Sequence, residues 1–216
     1  MTSERLSADP HPWQIHLVDD DAAFRRSLVF LLESMGWDAV GHACANDYLG
    51  DGLIHVEHTG CLLLDVRMPG MSGLELQQTL LAREIQLPIV FLTGHGDVEL
   101  AVQAMKNGAF DFLEKPFKDQ RLLDIVSAAL RQREAERAVH ARSRQASDRL
   151  ARLSPREAEV ARLVARGLPN KLVARELGIS EKTVHIHRQH VMEKAEIGSA
   201  AELARLMLSS DPTALD

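Results

Sequence analysis

Short apolar runs alternate with longer amphipathic stretches through the first 130 residues of the chain. The runs near residues 14–18, 37–42, 61–65, 88–92 and 110–113 read as buried strands, being brief and bounded by turn formers. Between them, Phe24, Leu28, Leu31, Leu32 and Met35 recur at three- and four-residue steps, as do Val98, Ala101, Val102 and Met105. That spacing is one face of a helix. Ser72-Gly73-Leu74-Glu75 has the S-x-x-E form of a capping box and marks a further helix start. Five strand–helix units in a row predict an α/β fold, a doubly wound five-stranded parallel sheet.

From Asp119 the pattern turns helical and stays so. Leu122, Leu123, Val126 and Leu130 make an apolar face, after which the chain is polar through Arg149. Strong helix formers without an apolar seam predict a solvated helical linker over 131–148 rather than a coiled coil. Four more helices follow in an all-α segment, 149–212. Ser154-Pro155-Arg156-Glu157 joins a capping box to a proline in the first turn, and Gly167 ends that helix. Lys171 to Leu177 stops at Gly178, Ser180 caps the next helix to about Ala195, and Ser199-Ala200-Ala201-Glu202 forms another capping box. Helix, glycine turn, helix at this spacing reads as a helix-turn-helix.

The formal net charge of −6 hides an asymmetry: residues 1–130 carry 19 acidic and 9 basic side chains, residues 131–216 carry 12 and 16. The basic half points to a nucleic-acid partner. No apolar stretch approaches the roughly 20 residues of a membrane span, so no membrane role is expected. Two cysteines without metal-ligand spacing, Cys44 and Cys61, suit a reducing, cytoplasmic setting.

The chemistry concentrates at strand ends, which face the ligand crevice in open α/β sheets. Asp65 closes Leu62-Leu63-Leu64, and Asp19-Asp20-Asp21 follows Ile15 to Val18. Carboxylates crowded at one mouth repel unless a hard cation lies between them, which suggests Mg²⁺. Thr93 and Lys115 follow two more strands and bring a hydroxyl and an ammonium group suited to a phosphoryl oxygen. Lys115-Pro116 also offers a cis peptide that would aim the lysine inward. Asp21 is better placed as a helix N-terminal residue than as a ligand. His95 is assigned to loop packing; His55 and His58 lack further metal ligands and are expected to be solvated.

These residues resemble the receiver domain of bacterial two-component response regulators over residues 13–130, and Thr93-Gly-His-Gly-Asp looks like the FixJ-type subfamily. The resemblance implies a flavodoxin-like sheet with Asp65 as phosphoacceptor. It implies Mg²⁺ held by Asp19, Asp20, Asp65 and the backbone carbonyl of Arg67, with Thr93 and Phe112 as a switch pair and Lys115 gripping the phosphoryl group. An Asp-nucleophile phosphatase needs a second acid two residues after the nucleophile; Arg67 stands there and cannot serve. No G-x-x-x-x-G-K-[ST] loop supports nucleotide hydrolysis. No enzyme activity is expected.

Leu153-Ser-Pro-Arg-Glu-Ala-Glu-Val, Gly167-Leu-Pro-Asn-Lys and Ile179-Ser-Glu-Lys-Thr-Val-His-Ile-His-Arg resemble the LuxR-type DNA-binding domain. Helical geometry puts Val184, Val191 and Ala195 on a buried side and Lys182, His185, Ile186 and Gln189 on another. The resemblance turns His185, Ile186 and Gln189 toward base edges, with Lys171, Lys182, Thr183, Arg188 and Lys194 mostly on phosphates. Two positions depart from the family: His185 stands where lysine is frequent, and Ala195 where leucine is usual. His185 and His187 point about 160° apart on a helix, so His185, His187 and His190 do not make a zinc site.

The resulting expectation is a transcription regulator whose partners are a sensor histidine kinase, double-stranded promoter DNA and RNA polymerase. Phosphorylation would drive homodimerisation, and the resemblance favours activation over repression. The competing readings are a phosphate-independent DNA binder with a receiver used only for dimerisation, and a stand-alone relay or interaction protein.

Overall fold

A computed structural model describes residues 13–51, 56–94 and 98–215; His55 and His95, assigned above to solvent and to loop packing, lie outside them. The chain divides into two compact units, Met1–Ala135 and Glu136–Asp216.

In the first unit the strands are β1 (Gln14–Val18), β2 (Asp38–His42), β3 (Thr59–Asp65), β4 (Ile89–Thr93) and β5 (Asp111–Glu114). They form one parallel sheet in the order β2-β1-β3-β4-β5. The helices are α1 (Ala22–Ser34), α2 (Ala45–Asp51), α3 (Gly73–Ala82), α4 (Val98–Lys106) and α5 (Asp119–Leu150), the last of which continues into the second unit. Alternate strand residues feed two cores, as a sheet covered on both faces requires. Leu63, Val90 and Leu92 pack with Leu122 and Val126 of α5, whereas Leu62, Leu64 and Phe91 pack with Leu76 and Leu80 of α3. Among the described residues no helix is long and apolar enough to cross a membrane.

Register brings the reactive strand ends level. Val18 pairs with Leu64, Asp65 with Leu92, and Thr93 with Glu114. The residues after these pairs therefore emerge together at one mouth. The predicted capping box starts α3, with Ser72 accepting from the Glu75 amide and Glu75 accepting from Ser72. Gly73 lets this helix begin directly beneath the site: a Cβ there would stand 2.2 Å from the Asp65 carbonyl oxygen. That neighbour is backbone and cannot swing aside. Gly73→Ala is expected to lower unfolding stability by about 2–3 kcal/mol in urea titrations, the range of an overpacked core position.

The second unit holds α6 (Pro155–Ala165), α7 (Asn170–Leu177), α8 (Glu181–Lys194) and α9 (Ala200–Ser210) around Val160, Val164, Val173, Val184, Val191 and Leu203. Gly178 ends α7 in the left-handed region (φ 65°), where glycine carries no Cβ clash, and the chain turns into α8. The last turns of α5 belong to this packing. Ala146 is buried, and Ser147 exchanges a 2.8 Å hydroxyl hydrogen bond with Ser210 of α9. Residues 143–147, read from sequence as linker, thus contact the helical unit through small side chains that leave no apolar stripe. The reciprocal bond at α9 also differs from expectation. Glu202 accepts from the Gly198 amide instead of closing a box on the Ser199 amide.

Candidate phosphoacceptor site and nucleic-acid interface

Asp19, Asp65 and Lys115 meet at the carboxyl end of the sheet. The Lys115 ammonium donates to Asp19 Oδ2 at 2.6 Å and to Asp65 Oδ1 at 2.7 Å. Both carboxylates are buried, at 1% and 7% exposure. Backbone amides occupy the remaining oxygens: Asp21 N donates to Asp19 Oδ1 (2.9 Å) and Arg67 N to Asp65 Oδ2 (3.0 Å). Burial pushes the Asp65 carboxyl above the usual aspartate range, against the opposing pull of Lys115. Burial also works against the Lys115 ammonium, but its bonds to Asp19 and Asp65 outweigh that and raise its pKa. One cation thus holds both carboxylates at the strand mouth.

The other predicted site residues fall around this centre. Thr93 is buried at the end of β4, its hydroxyl donating to the Gly94 carbonyl (3.2 Å). Phe112 lies half-buried in β5 beside Phe91 of β4. The Lys115–Pro116 bond is cis. Asp21 caps α1, accepting from the Ala23 and Phe24 amides (2.8 and 3.1 Å). Asp20 is exposed, and among the described residues no three His, Cys, Asp or Glu side chains are gathered as a metal cage. Of the three carboxylates expected to hold a metal, Asp19 and Asp65 meet through Lys115 and Asp20 lies exposed next to Asp19. All-oxygen donors around a point that holds a cation suit Mg²⁺, which keeps several waters and needs few protein ligands. The residues present fit that ion.

Two residues of this site escaped the sequence reading. The Lys115 Nζ rides 4.2 Å from the centroid of the Phe24 ring, a cation–π contact. Arg25 reaches over Gly41 to donate to the Asp19 carbonyl at 2.5 Å. A Cβ on Gly41 would stand 2.8 Å from Arg25 Cγ, so the gap in β2 makes room for the arginine stem. Only tertiary contact reveals that pairing.

In the second unit, α8 has the two sides predicted. Val184 and Val191 are buried, while Lys182, His185, Ile186 and Gln189 are exposed. Ala195 follows the helix as its C-cap and is fully buried, so the small side chain sits at a tight helix end. Ser180 accepts from the Thr183 amide (3.1 Å) and shares a hydroxyl hydrogen bond with Thr183 (2.7 Å). Arg188 donates to Asn170 Oδ1 of α7 (2.8 Å), and Lys171 is exposed next to it. His185, Arg188 and Gln189 line a shallow groove with Asn170 and Ser199.

Lys194 is differently placed from the other predicted phosphate contacts. Its ammonium donates to the buried Glu157 of α6 at 2.7 Å. Glu157 also accepts from the Ser154 amide at 2.8 Å and faces His190 Nδ1 at 3.4 Å. The Lys194 hydrogen bond first, and the Ser154 amide second, hold the Glu157 carboxyl down at about 2, against an ordinary value of 4.5. A depressed carboxyl pKa stabilises the fold above its ordinary value and stops doing so as pH falls toward the folded value. Melting of the second unit is thus expected to weaken by about 1–2 kcal/mol between pH 5 and pH 2, a figure discounted for the half-exposed partners. Glu157→Gln should flatten calorimetric stability across that window; an unchanged acid slope would assign it elsewhere.

Residues 15–127 match the response regulator receiver domain family, and residues 151–207 match the bacterial regulatory proteins of the luxR family. Nodulation protein W of Bradyrhizobium diazoefficiens is 47% identical, covering 89% of this chain and 84% of that protein. The transcriptional regulatory protein FixJ of the same organism is 46% identical, covering 90% and 94%. Among solved structures, the response regulator StyR superposes with a TM-score of 0.81 at 43% identity, covering 89% of this chain and 96% of that one. Full-length FixJ from B. japonicum gives 0.58 at 44% identity, covering 92% and 97%. A receiver joined to a DNA-binding domain has a histidine kinase and DNA as its partner classes. The chain belongs to the FixJ-like response regulators, a receiver domain followed by a LuxR-type DNA-binding domain, and is a transcriptional regulator rather than an enzyme.

Proposed function

We propose that Asp65 accepts a phosphoryl group from a sensor histidine kinase and that this phosphorylation controls DNA binding by the second unit. The observation that carries the reading is the meeting of Asp19, Asp65 and Lys115 within 2.7 Å at the sheet mouth. An Asp65 oxygen attacks phosphorus, an acyl phosphate bond forms, and the bond to the donor's imidazole nitrogen breaks with its electron pair leaving on the donor. Lys115 then has a phosphoryl oxygen to hold in place of a carboxylate oxygen. Asp19, Asp20, Asp65 and the Arg67 carbonyl would hold Mg²⁺, which when bound screens the charge between acceptor and phosphoryl oxygens.

Thr93 and Phe112 report the phosphate outward: the hydroxyl turns to a phosphoryl oxygen and the ring moves inward, a two-state change. Val102 and Met105, exposed on α4, supply an apolar face for the dimer that follows. Residues 13–130 act as receiver, 131–148 as helical linker and 149–212 as the DNA-binding domain. α8 enters the major groove, with His185, Ile186 and Gln189 on base edges and Lys171, Lys182, Thr183 and Arg188 on phosphates. Lys194 has a structural partner in Glu157 and contributes less. RNA polymerase, activation of transcription and a cytoplasmic setting complete the proposal.

The test uses the full chain with acetyl phosphate and Mg²⁺. One phosphoryl group on the peptide containing Asp65, a doubled mass in gel filtration and tighter binding to a promoter fragment are expected. A phosphoryl group elsewhere sinks the site assignment. DNA affinity indifferent to acetyl phosphate favours the phosphate-independent binder.

A further inference from the structure

An asparagine at the cap position spends its side chain on the helix's own first amides. Asn170 stands one residue later, as the first residue of α7. Pro169 occupies the cap position of α7 and makes no side-chain cap bond, and the Asn170 amide oxygen instead accepts from Arg188 Nη1 of α8 at 2.8 Å. Among the described residues Arg188 has no carboxylate partner. A guanidinium has five N–H donors, so one bond to Asn170 leaves four for another ligand. The acceptor is neutral, and the full positive charge is retained. Arg188 lines the same groove as His185 and Gln189.

We infer that Asn170 is a positioning residue for DNA binding: it orders the Arg188 guanidinium for a backbone phosphate without neutralising it. This rests on the proposed DNA interface of α8 and deepens it. A rotamer-rich side chain loses about 0.5–1.5 kcal/mol of freedom when immobilised on binding. The Asn170 bond removes part of that loss beforehand. A carboxylate at the same place would order the arginine equally well and cancel its charge.

The test compares Asn170→Ala, Asn170→Asp, Arg188→Gln and the double variant Asn170→Ala/Arg188→Gln in the full chain treated with acetyl phosphate and Mg²⁺. The probe is a 30-base-pair duplex recovered by the wild-type chain from a random-sequence pool, titrated at several salt concentrations. Arg188→Gln should weaken binding by about 10- to 100-fold, the range of a charge-assisted bond, and flatten the salt slope by about 0.9. Asn170→Asp should do the same. It should also leave the second unit at least as heat-stable, since an acidic group in the first turn of α7 suits the helix dipole. That combination separates positioning from a merely structural role. Asn170→Ala should weaken binding by about 2- to 10-fold with the slope kept, and should add nothing in the Arg188→Gln background.

Independent, multiplying effects of the two single variants would overturn the inference, as would wild-type binding by Asn170→Asp. If the wild-type chain recovers no duplex from the pool, the DNA-binding reading fails and the inference with it.

Discussion

Asp65→Asn is expected to take up no phosphoryl group from acetyl phosphate and to bind promoter DNA identically with and without the donor. The amide has nearly the shape of the carboxylate but lacks the nucleophilic oxygen pair. Mass spectrometry of the intact chain and a DNA titration check the two parts. The same variant should be slightly more stable. Burial raises the Asp65 carboxyl above its ordinary pKa. A carboxyl raised on folding stabilises the native state fully only below its unfolded value and loses that contribution as pH rises through the folded value. At neutral pH the charge on Asp65 therefore works against folding, and removing it should raise the melting midpoint. A variant less stable than the wild type would mean that the Lys115 and Arg67 bonds outweigh burial.

Lys115→Ala should have the opposite sign. The ammonium bridges two buried carboxylates at 2.6 and 2.7 Å. Its pKa is raised on folding, so its contribution is complete at neutral pH and is lost only as pH rises through the folded lysine value. Taking away one partner of a buried ion pair destabilises by about 3–5 kcal/mol, and the quarter exposure of Lys115 reduces this to about 2–3 kcal/mol. Acid should rescue the variant, because Asp65 without its ammonium neighbour takes up a proton more readily. Mg²⁺ should rescue it as well, by replacing the missing cation, and should stabilise the variant more than the wild type. Urea titrations at pH 5 and pH 8, with and without Mg²⁺, measure both effects. Equal losses under all four conditions would show that lysine packing over Phe24, not its charge, carries the stability.

Much of this molecule is written locally. The strands were legible because five apolar runs end in turn formers, and each observed strand lies within two residues of its expected place. Helix starts at Ser72 and Ser154 could be read from four residues each, since a capping box closes within a single turn. The identity of the strand-end residues, Asp19, Asp65, Thr93 and Lys115, was also plain, because chemistry follows residue type. The two sides of α8 followed from helical periodicity alone.

Other features required partners distant in sequence. Lys115 lies 96 residues from Asp19 and 50 from Asp65, and only the parallel register makes them neighbours. The lysine thus bridges the two buried carboxylates, and Asp20 beside them is exposed. Arg25 over Gly41, Lys194 on Glu157 and Arg188 on Asn170 are likewise pairs between elements, and none has a local spacing that announces it. The pattern of side chains along the chain determined which elements form and which chemical groups reach the sheet mouth and the exposed side of α8. The tertiary structure alone decided which of those groups are paired, because pairing depends on register and burial, and neither is a property of neighbouring residues.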